Sequence, residues 1–212
     1  MYVPISKSPT KSEDFRPITL LNNNYKLMAR IIANRLGPMM EELLQPCQHC
    51  VAQGNIFETV ATVREAIAHG DTNPAVRLVP GLPTSYQKIS HTYVFTILKS
   101  CGLIERFIER IKRIYDNAVS SVQVNGQLSG PIPTGRSVRQ GCPMSMLLFA
   151  PCLNPPIRIL EQKLPDNRIG RRNHKTAVMT YTDDVTLIVT APEDIPVTRE
   201  AIQGYERHRE LA

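Results

Sequence analysis

The chain has 212 residues, 42% hydrophobic and 21% charged, an ordinary globular balance that excludes disorder, collagen-like repeats and low complexity. No apolar run reaches the roughly 18 residues a membrane span needs, and the polar opening Met1–Phe15 lacks the apolar stretch of a signal peptide. The net charge of +6 is compatible with a polyanionic partner, and its distribution says more than its sum: no Asp or Glu lies between Asp71 and Glu105 or between Asp116 and Glu161, and the second gap holds Arg136, Arg139 and Arg158.

Residues 1–15 read as an extended, turn-rich lead. From Asn22 to about Leu36 the spacing of Tyr25, Met28, Ile32 and Leu36 predicts a helix, capped by the asparagine run and ended by Gly37-Pro38. The five cysteines (Cys47, Cys50, Cys101, Cys142 and Cys152) are odd in number and scattered, which suits a reducing compartment. Cys47-x-x-Cys50 has no second pair to complete a tetrahedral zinc site, so ordinary thiols are expected there. Ile56, Val60, Val63 and Ile67 predict a second amphipathic helix, stopped by Gly70. A short buried strand is expected at Val76–Val79, then a helix capped by Ser90 and stopped at Gly102, then a fourth marked by Ile104, Phe107, Ile108, Ile111 and Tyr115.

Ser121–Val124, Asn125-Gly126 and Gln127-Leu128 read as a strand, a tight turn and a strand. A helix is expected after Pro143, broken by Pro151, Pro155 and Pro156. Ala177–Tyr181 and Val185–Thr190 are β-branched, apolar runs on either side of Thr182-Asp183-Asp184, and the segment from Pro196 onward reads as helix. The pattern is mixed α+β.

Two segments carry candidate chemistry. In Tyr181-Thr182-Asp183-Asp184, adjacent carboxylates at the tip of a hairpin repel each other unless a cation is present. Mg²⁺ takes oxygen ligands of this kind, although a plain turn also accommodates Asp-Asp. Gly135-Arg136-Ser137-Val138-Arg139-Gln140-Gly141-Cys142-Pro143-Met144-Ser145 offers two guanidiniums, an amide and a glycine that admits close backbone approach. Such a loop suits a nucleotide or a template strand, or is simply a basic surface loop.

The order of these segments resembles the reverse transcriptases of non-LTR (LINE-type) retrotransposons. Arg139-Gln140-Gly141-Cys142-Pro143-Met144-Ser145-Met146-Leu147-Leu148-Phe149 is similar to their RQGCPLSxxLF segment, and Tyr181-Thr182-Asp183-Asp184 to their YADD box. Upstream, Phe15-Arg16-Pro17-Ile18-Thr19-Leu20-Leu21-Asn22 and the run from Tyr25 to Leu36 are similar to FRPITLLN…YKLxARIxANRL. Ile56 to Ile67 and Ser121–Pro133 also match, so the resemblance covers nearly the whole chain.

The resemblance implies the palm and fingers of a right-hand polymerase, with an antiparallel palm sheet packed on helices. Fingers would take roughly residues 1–75 and 88–130, and palm residues 76–87 and 131–200. It also implies RNA-templated DNA synthesis with Mg²⁺, deoxynucleoside triphosphates, an RNA template and a DNA primer, in the nucleus or cytoplasm and with no membrane partner. By this resemblance Asp183 and Asp184 are the metal-binding acids. Arg16 contacts the triphosphate, Gln140 and Gly141 line the nucleotide pocket, Tyr86 is the steric gate at the sugar, and Arg136 and Arg139 touch nucleic acid.

The sequence also departs from the pattern. Where the family reads LDFxxAFDxxSH, this chain reads Pro80-Gly81-Leu82-Pro83-Thr84-Ser85-Tyr86-Gln87-Lys88-Ile89-Ser90-His91. Gly81 stands at the third catalytic acid and Gln87 at the second Asp of that motif, and no carboxylate lies from Thr72 to Ile104 to rescue the register. Loss of a ligand shared by two metals predicts a rate loss of at least roughly 10³. Pro80 and Pro83 are expected to disrupt a strand in the middle of a sheet, and Pro151 and Pro156 to cost about 3 kcal/mol each inside a helix. The segment from Cys50 to Phe57 is one residue short against the pattern, and the chain stops before the family's later palm lysine and thumb, with no endonuclease ahead of it. An inactive polymerase core is therefore expected. The alternatives are a non-catalytic RNA- or DNA-binding remnant and a translated pseudogene fragment without function.

Overall fold

The computed structural model describes residues 2–4, 8, 10, 15–17, 19–48, 56–72, 77–83, 89–124, 126–164, 178–182 and 184–211. Two short strands, β1 (Tyr2–Pro4) and β2 (Phe15–Pro17), pair antiparallel, with Val3 opposite Arg16. The long helix α1 (Asn23–Leu43) starts where the Asn22 side chain accepts a 2.9 Å hydrogen bond from the Asn24 N–H. It runs past the stop expected at Gly37-Pro38. The Pro38 ring is exposed, and the carbonyl it deprives of a partner belongs to exposed Asn34, which water can reach. Burial of Ala29, Ala33, Leu36 and Met40 on one side holds the two halves in one helix. Met28, expected inside, is 59% exposed, and Ala29 takes the core-facing place.

α2 (Ile56–Thr72) and β3 (Arg77–Pro83) follow, then α3 (His91–Ser100), where the Ser90 hydroxyl accepts from the Tyr93 N–H at 3.1 Å. α3 ends at Gly102, whose φ of +83° suits glycine. α4 (Glu105–Tyr115) buries Ile108, Ile111 and Tyr115. A two-stranded arm comes next: β4 (Val119–Ser120), β5 (Gln123–Val124), β6 (Gln127–Leu128) and β7 (Ile132–Pro133), with β5 paired to β6 across Asn125-Gly126 and β4 paired to β7.

The proline-rich stretch is accommodated by breaking the helix into pieces. α5 (Ser145–Phe149), a 3₁₀ turn (Ala150–Leu153) and α6 (Asn154–Lys163) follow one another, which places Pro155 and Pro156 in the first turn of α6. The first-turn N–H groups have no intrahelical acceptor, so the interior-proline penalty expected for Pro156 does not apply, and Pro151 falls in the 3₁₀ turn. β8 (Val178–Tyr181), β9 (Asp184–Val189) and α7 (Asp194–Leu211) complete the order.

The central sheet is antiparallel in the order β3-β9-β8. Val178, Val185, Leu187 and Val189 face the main core, built from α1, α3, α4, α5, α6 and α7. Met179 and Ile188 alternate to the other face, where Ala66 and Val63 of α2 cover them. Ile56, Val60 and Ile67, expected on the buried face of α2, are each more than 40% exposed. The free edge of β8 meets residues 47–48, since the Thr180 N–H donates to the Cys47 carbonyl at 3.1 Å. Among the described residues β3 is an edge strand of this sheet, not the middle strand expected, and an edge position tolerates Pro80 and Pro83. The architecture is mixed α+β, mostly helical with small antiparallel sheets. Among the described residues no helix is long and apolar enough to cross a membrane.

Candidate nucleotide and nucleic-acid site

The acidic turn is a two-residue hairpin, closed by the Tyr181–Asp184 register pair. Thr182 has φ +56°, a conformation costly for a β-branched residue, and its hydroxyl donates to the Tyr181 carbonyl at 2.7 Å. Asp184 is exposed at the start of β9. On its other side it pairs with Pro83, while Pro80 pairs with Thr186, so the ladder shifts register between them and Gly81 lies within that bulge. Gly81 and Asp184 thus stand on neighbouring strands at one end of the sheet. Asp183, Tyr86, Gln87 and Cys50 lie outside the described residues, and of Arg16 only the strand position is described.

The loop before α5 is held at several points. The Ser137 N–H donates to the Ile89 carbonyl at 2.9 Å, with Ser137 at φ +80°, and the Ser137 carbonyl accepts from His91 Nε2 at 3.0 Å. The His91 ring also packs edge-on against Tyr115, with centroids 4.8 Å apart. The Arg139 guanidinium sits 4.8 Å from the Tyr25 ring centre and 5.5 Å from that of Tyr115. The Arg139 carbonyl accepts from the Cys142 N–H at 3.1 Å and from the Ser145 hydroxyl at 2.8 Å. Tyr25 Oη lies 3.4 Å from Cys142 Sγ, and burial, more than this contact, pushes its phenol up to about 12. Arg139 is therefore packed between aromatic rings, whereas Arg136 is exposed and bridges to Ser90 through the backbone.

The same loop meets the segment that follows β2. The Thr19 N–H donates to the Gln140 carbonyl at 3.4 Å. Gly141 has φ +91°, and a Cβ there would stand 3.4 Å from the Thr19 carbonyl. The Gln140 side-chain oxygen is buried, with no partner among the described residues. Two sequence-predicted residues, Gln140 and Gly141, are thereby brought against the segment three residues beyond Arg16. Thr19, Tyr25 and Tyr115 are not among the site residues expected from the sequence. Tyr25 and Tyr115 read there only as apolar helix positions, and nothing local marks them as supports of a distant arginine.

A family model for "Reverse transcriptase (RNA-dependent DNA polymerase)" matches residues 5–211. The chain belongs to the reverse transcriptase family. This reverse transcriptase chain is 26% identical over 196 residues to the transposon TX1 uncharacterized 149 kDa protein of Xenopus laevis, covering 91% of this chain and 15% of that protein. It is 23% identical over 193 residues to the retrovirus-related Pol polyprotein from the type-2 retrotransposable element R2DM of Drosophila melanogaster, covering 88% of this chain and 18% of that protein. The corresponding polyprotein of the type-1 element R2 of Popillia japonica is 23% identical over 203 residues, 94% of this chain and 28% of its own length. The chain thus spans less than a third of each of these relatives, and it is related to non-LTR retrotransposon proteins over most of its length.

Proposed function

We propose that this chain is the palm and fingers of an RNA-directed DNA polymerase whose acid set is incomplete, so that it engages nucleic acid without extending a primer. The observation that carries the reading is the β3–β9 register, with Gly81 in the bulge beside the strand that begins at Asp184. The sheet β3-β9-β8 corresponds to the palm in this reading, and α1 to α4 with the hairpin arm to the fingers. Asp183 and Asp184 are the remaining metal-binding acids. Arg16, Tyr86, Gln140 and Gly141 form the nucleotide pocket, and Arg136 contacts a phosphate while Arg139 steadies the loop.

The family implies Mg²⁺, and the donors here do not fit a pair of ions that share an acid. Glycine brings no side-chain oxygen to position 81, and no carboxylate lies in the sequence from Thr72 to Ile104 to take its place. Two support structures remain for binding: the Thr19–Gln140–Gly141 contact and the Arg139–tyrosine packing. The test pairs two measurements on the unmodified chain: equilibrium binding of an RNA template annealed to a DNA primer, and extension of that primer with Mg²⁺ and deoxynucleoside triphosphates. Binding without extension is expected. Robust extension removes the incomplete-site reading, and absence of binding at low salt removes the nucleic-acid reading.

A further inference from the structure

α4 buries Ile108, Ile111 and Tyr115 and turns the opposite side to solvent. On that side Arg106, Arg110 and Arg113 recur at i, i+4 and i+7, the spacing that aligns side chains along one helical face. All three are exposed, and none makes an ion pair among the described residues. Of the two acids on the helix, Glu105 is already shared by Lys99 at 3.4 Å and Lys112 at 3.5 Å. Glu109 alone lies between the arginines. The α3–α4 surface therefore sets five cations (Lys99, Arg106, Arg110, Lys112, Arg113) against three acids (Glu105, Glu109 and the C-cap Asp116).

Past the exposed C-cap Asp116, the ladder leads into an acid-free stretch. Ala118, just past α4, accepts from the Thr134 N–H at 2.9 Å and from the Thr134 hydroxyl at 2.8 Å, which closes the hairpin arm on the end of the helix. Residues 117–135 contain no Asp or Glu, and Arg136 follows at the arm's base. Arg106 to Arg113 spans about 10 Å along the helix at about 1.5 Å per residue. A duplex carries roughly six phosphate charges in that length, at one per about 1.7 Å. Arginine forks suit phosphate oxygens, and between Arg106 and Arg113 no exposed hydrophobic anchor interrupts the row, which suits a regular polyanion better than the mixed surface of an acidic protein, although the arm beyond exposes Val119, Leu128 and Ile132.

We infer that the Arg106–Arg110–Arg113 face of α4, continued by the acid-free arm to Arg136, is a second binding surface, one that grips the phosphate backbone of a nucleic-acid duplex outside the acidic turn. The inference rests on the chain handling nucleic acid and is independent of whether any chemistry survives. The surface is electrostatic and reads no sequence. It adds affinity and salt dependence and holds the duplex whether or not the nucleotide pocket is filled.

The test is a salt titration of a fluorescein-labelled RNA–DNA duplex, without Mg²⁺ or nucleotide, comparing the unmodified chain with a triple Arg106→Gln, Arg110→Gln, Arg113→Gln variant and a triple Arg→Lys variant. The glutamine variant should lose about two to three units of slope in log K against log salt and bind roughly tenfold or more weakly at low salt. The lysine variant should keep the slope, because charge and not guanidinium packing carries the effect, and Glu105→Gln should tighten binding. Matching thermal midpoints check that the fold is intact, as expected for exposed positions. A glutamine variant that binds with unchanged slope overturns this surface while leaving the polymerase reading intact, since primer extension by a Gly81→Asp variant decides that separately. Polyglutamate competing as well as the duplex at equal charge overturns it in favour of an acidic protein partner, and no binding by the unmodified chain overturns it outright.

Discussion

Pro83 of β3 is the register partner of Asp184 of β9. Three residues earlier, Pro80 is the partner of Thr186, so β3 takes three steps while β9 takes two, and the extra residue falls at Gly81-Leu82. A bulge on an edge strand is where a proline-bracketed glycine is cheapest to hold. It is also where a strand re-aims a side chain, and at this position the chain has none.

Thr182 at φ +56° is strained in the turn between β8 and β9. Thr182→Asn should stabilise the fold by up to about 1 kcal/mol, because asparagine tolerates the left-handed region that a β-branched residue resists. Urea denaturation reads this directly, and a destabilised variant would mean that the Thr182 hydroxyl bond to Tyr181 outweighs the strain.

Gly141 should not accept a side chain. Gly141→Ala meets a φ of +91° that a side chain resists, while its Cβ would only touch the Thr19 carbonyl at 3.4 Å, and the strain is expected to cost about 1–2 kcal/mol. The same variant should weaken nucleotide binding more than duplex binding, since it strains the loop that meets Thr19 and leaves α4 untouched.

Tyr25 separates ring from hydroxyl. Tyr25→Phe keeps the ring under Arg139 and loses the Cys142 contact, for about 1 kcal/mol or less. Tyr25→Ala should cost about 2–4 kcal/mol, since it removes the aromatic support as well. Equal losses in the two variants would make the arginine stacking irrelevant.

Alkaline pH should destabilise the fold through the same residue. Burial, helped by the Cys142 contact, raises the Tyr25 phenol from 10.0 to about 12, and burial also raises Tyr93 and Tyr115. The folded state holds these protons more tightly than the unfolded chain. Their stabilisation is therefore complete below pH 10 and is lost as pH rises through about 12. Denaturation midpoints that stay flat across that window would contradict the burial of these rings.

Much of this was legible in the sequence because local chemistry carries it. The Ser90 cap, the Gly102 stop, the Asn125-Gly126 hairpin and the β-branched strands around Thr182-Asp183-Asp184 each depend on residues next to one another. What misled were positions whose outcome depends on distant packing. Pro38 stays inside α1 because Leu36 and Met40 are buried on both sides of it. Pro156 is harmless because α6 restarts at Asn154, whose side-chain oxygen accepts from Gln48 Nε2 at 2.9 Å while its amide nitrogen donates to the Leu43 carbonyl at 3.1 Å. Ile56, Val60 and Ile67 of α2 point outward because the sheet meets Val63 and Ala66 instead. At the loop before α5 the motif Arg139-Gln140-Gly141 stands out in the sequence, but the residues the structure packs around it, Thr19, Tyr25 and Tyr115, come from segments far away in the chain.

The decisive measurement is single-turnover primer extension on an RNA template with Mg²⁺, comparing the unmodified chain with Gly81→Asp plus Gln87→Asp. On the proposed reading, in which Gly81 leaves the metal site one acid short, the unmodified chain should give almost no product, and the double variant should gain roughly 10³ or more in rate. Extension by the unmodified chain at a rate the added acids leave unchanged, and that Asp183→Asn abolishes, would contradict the incomplete acid set.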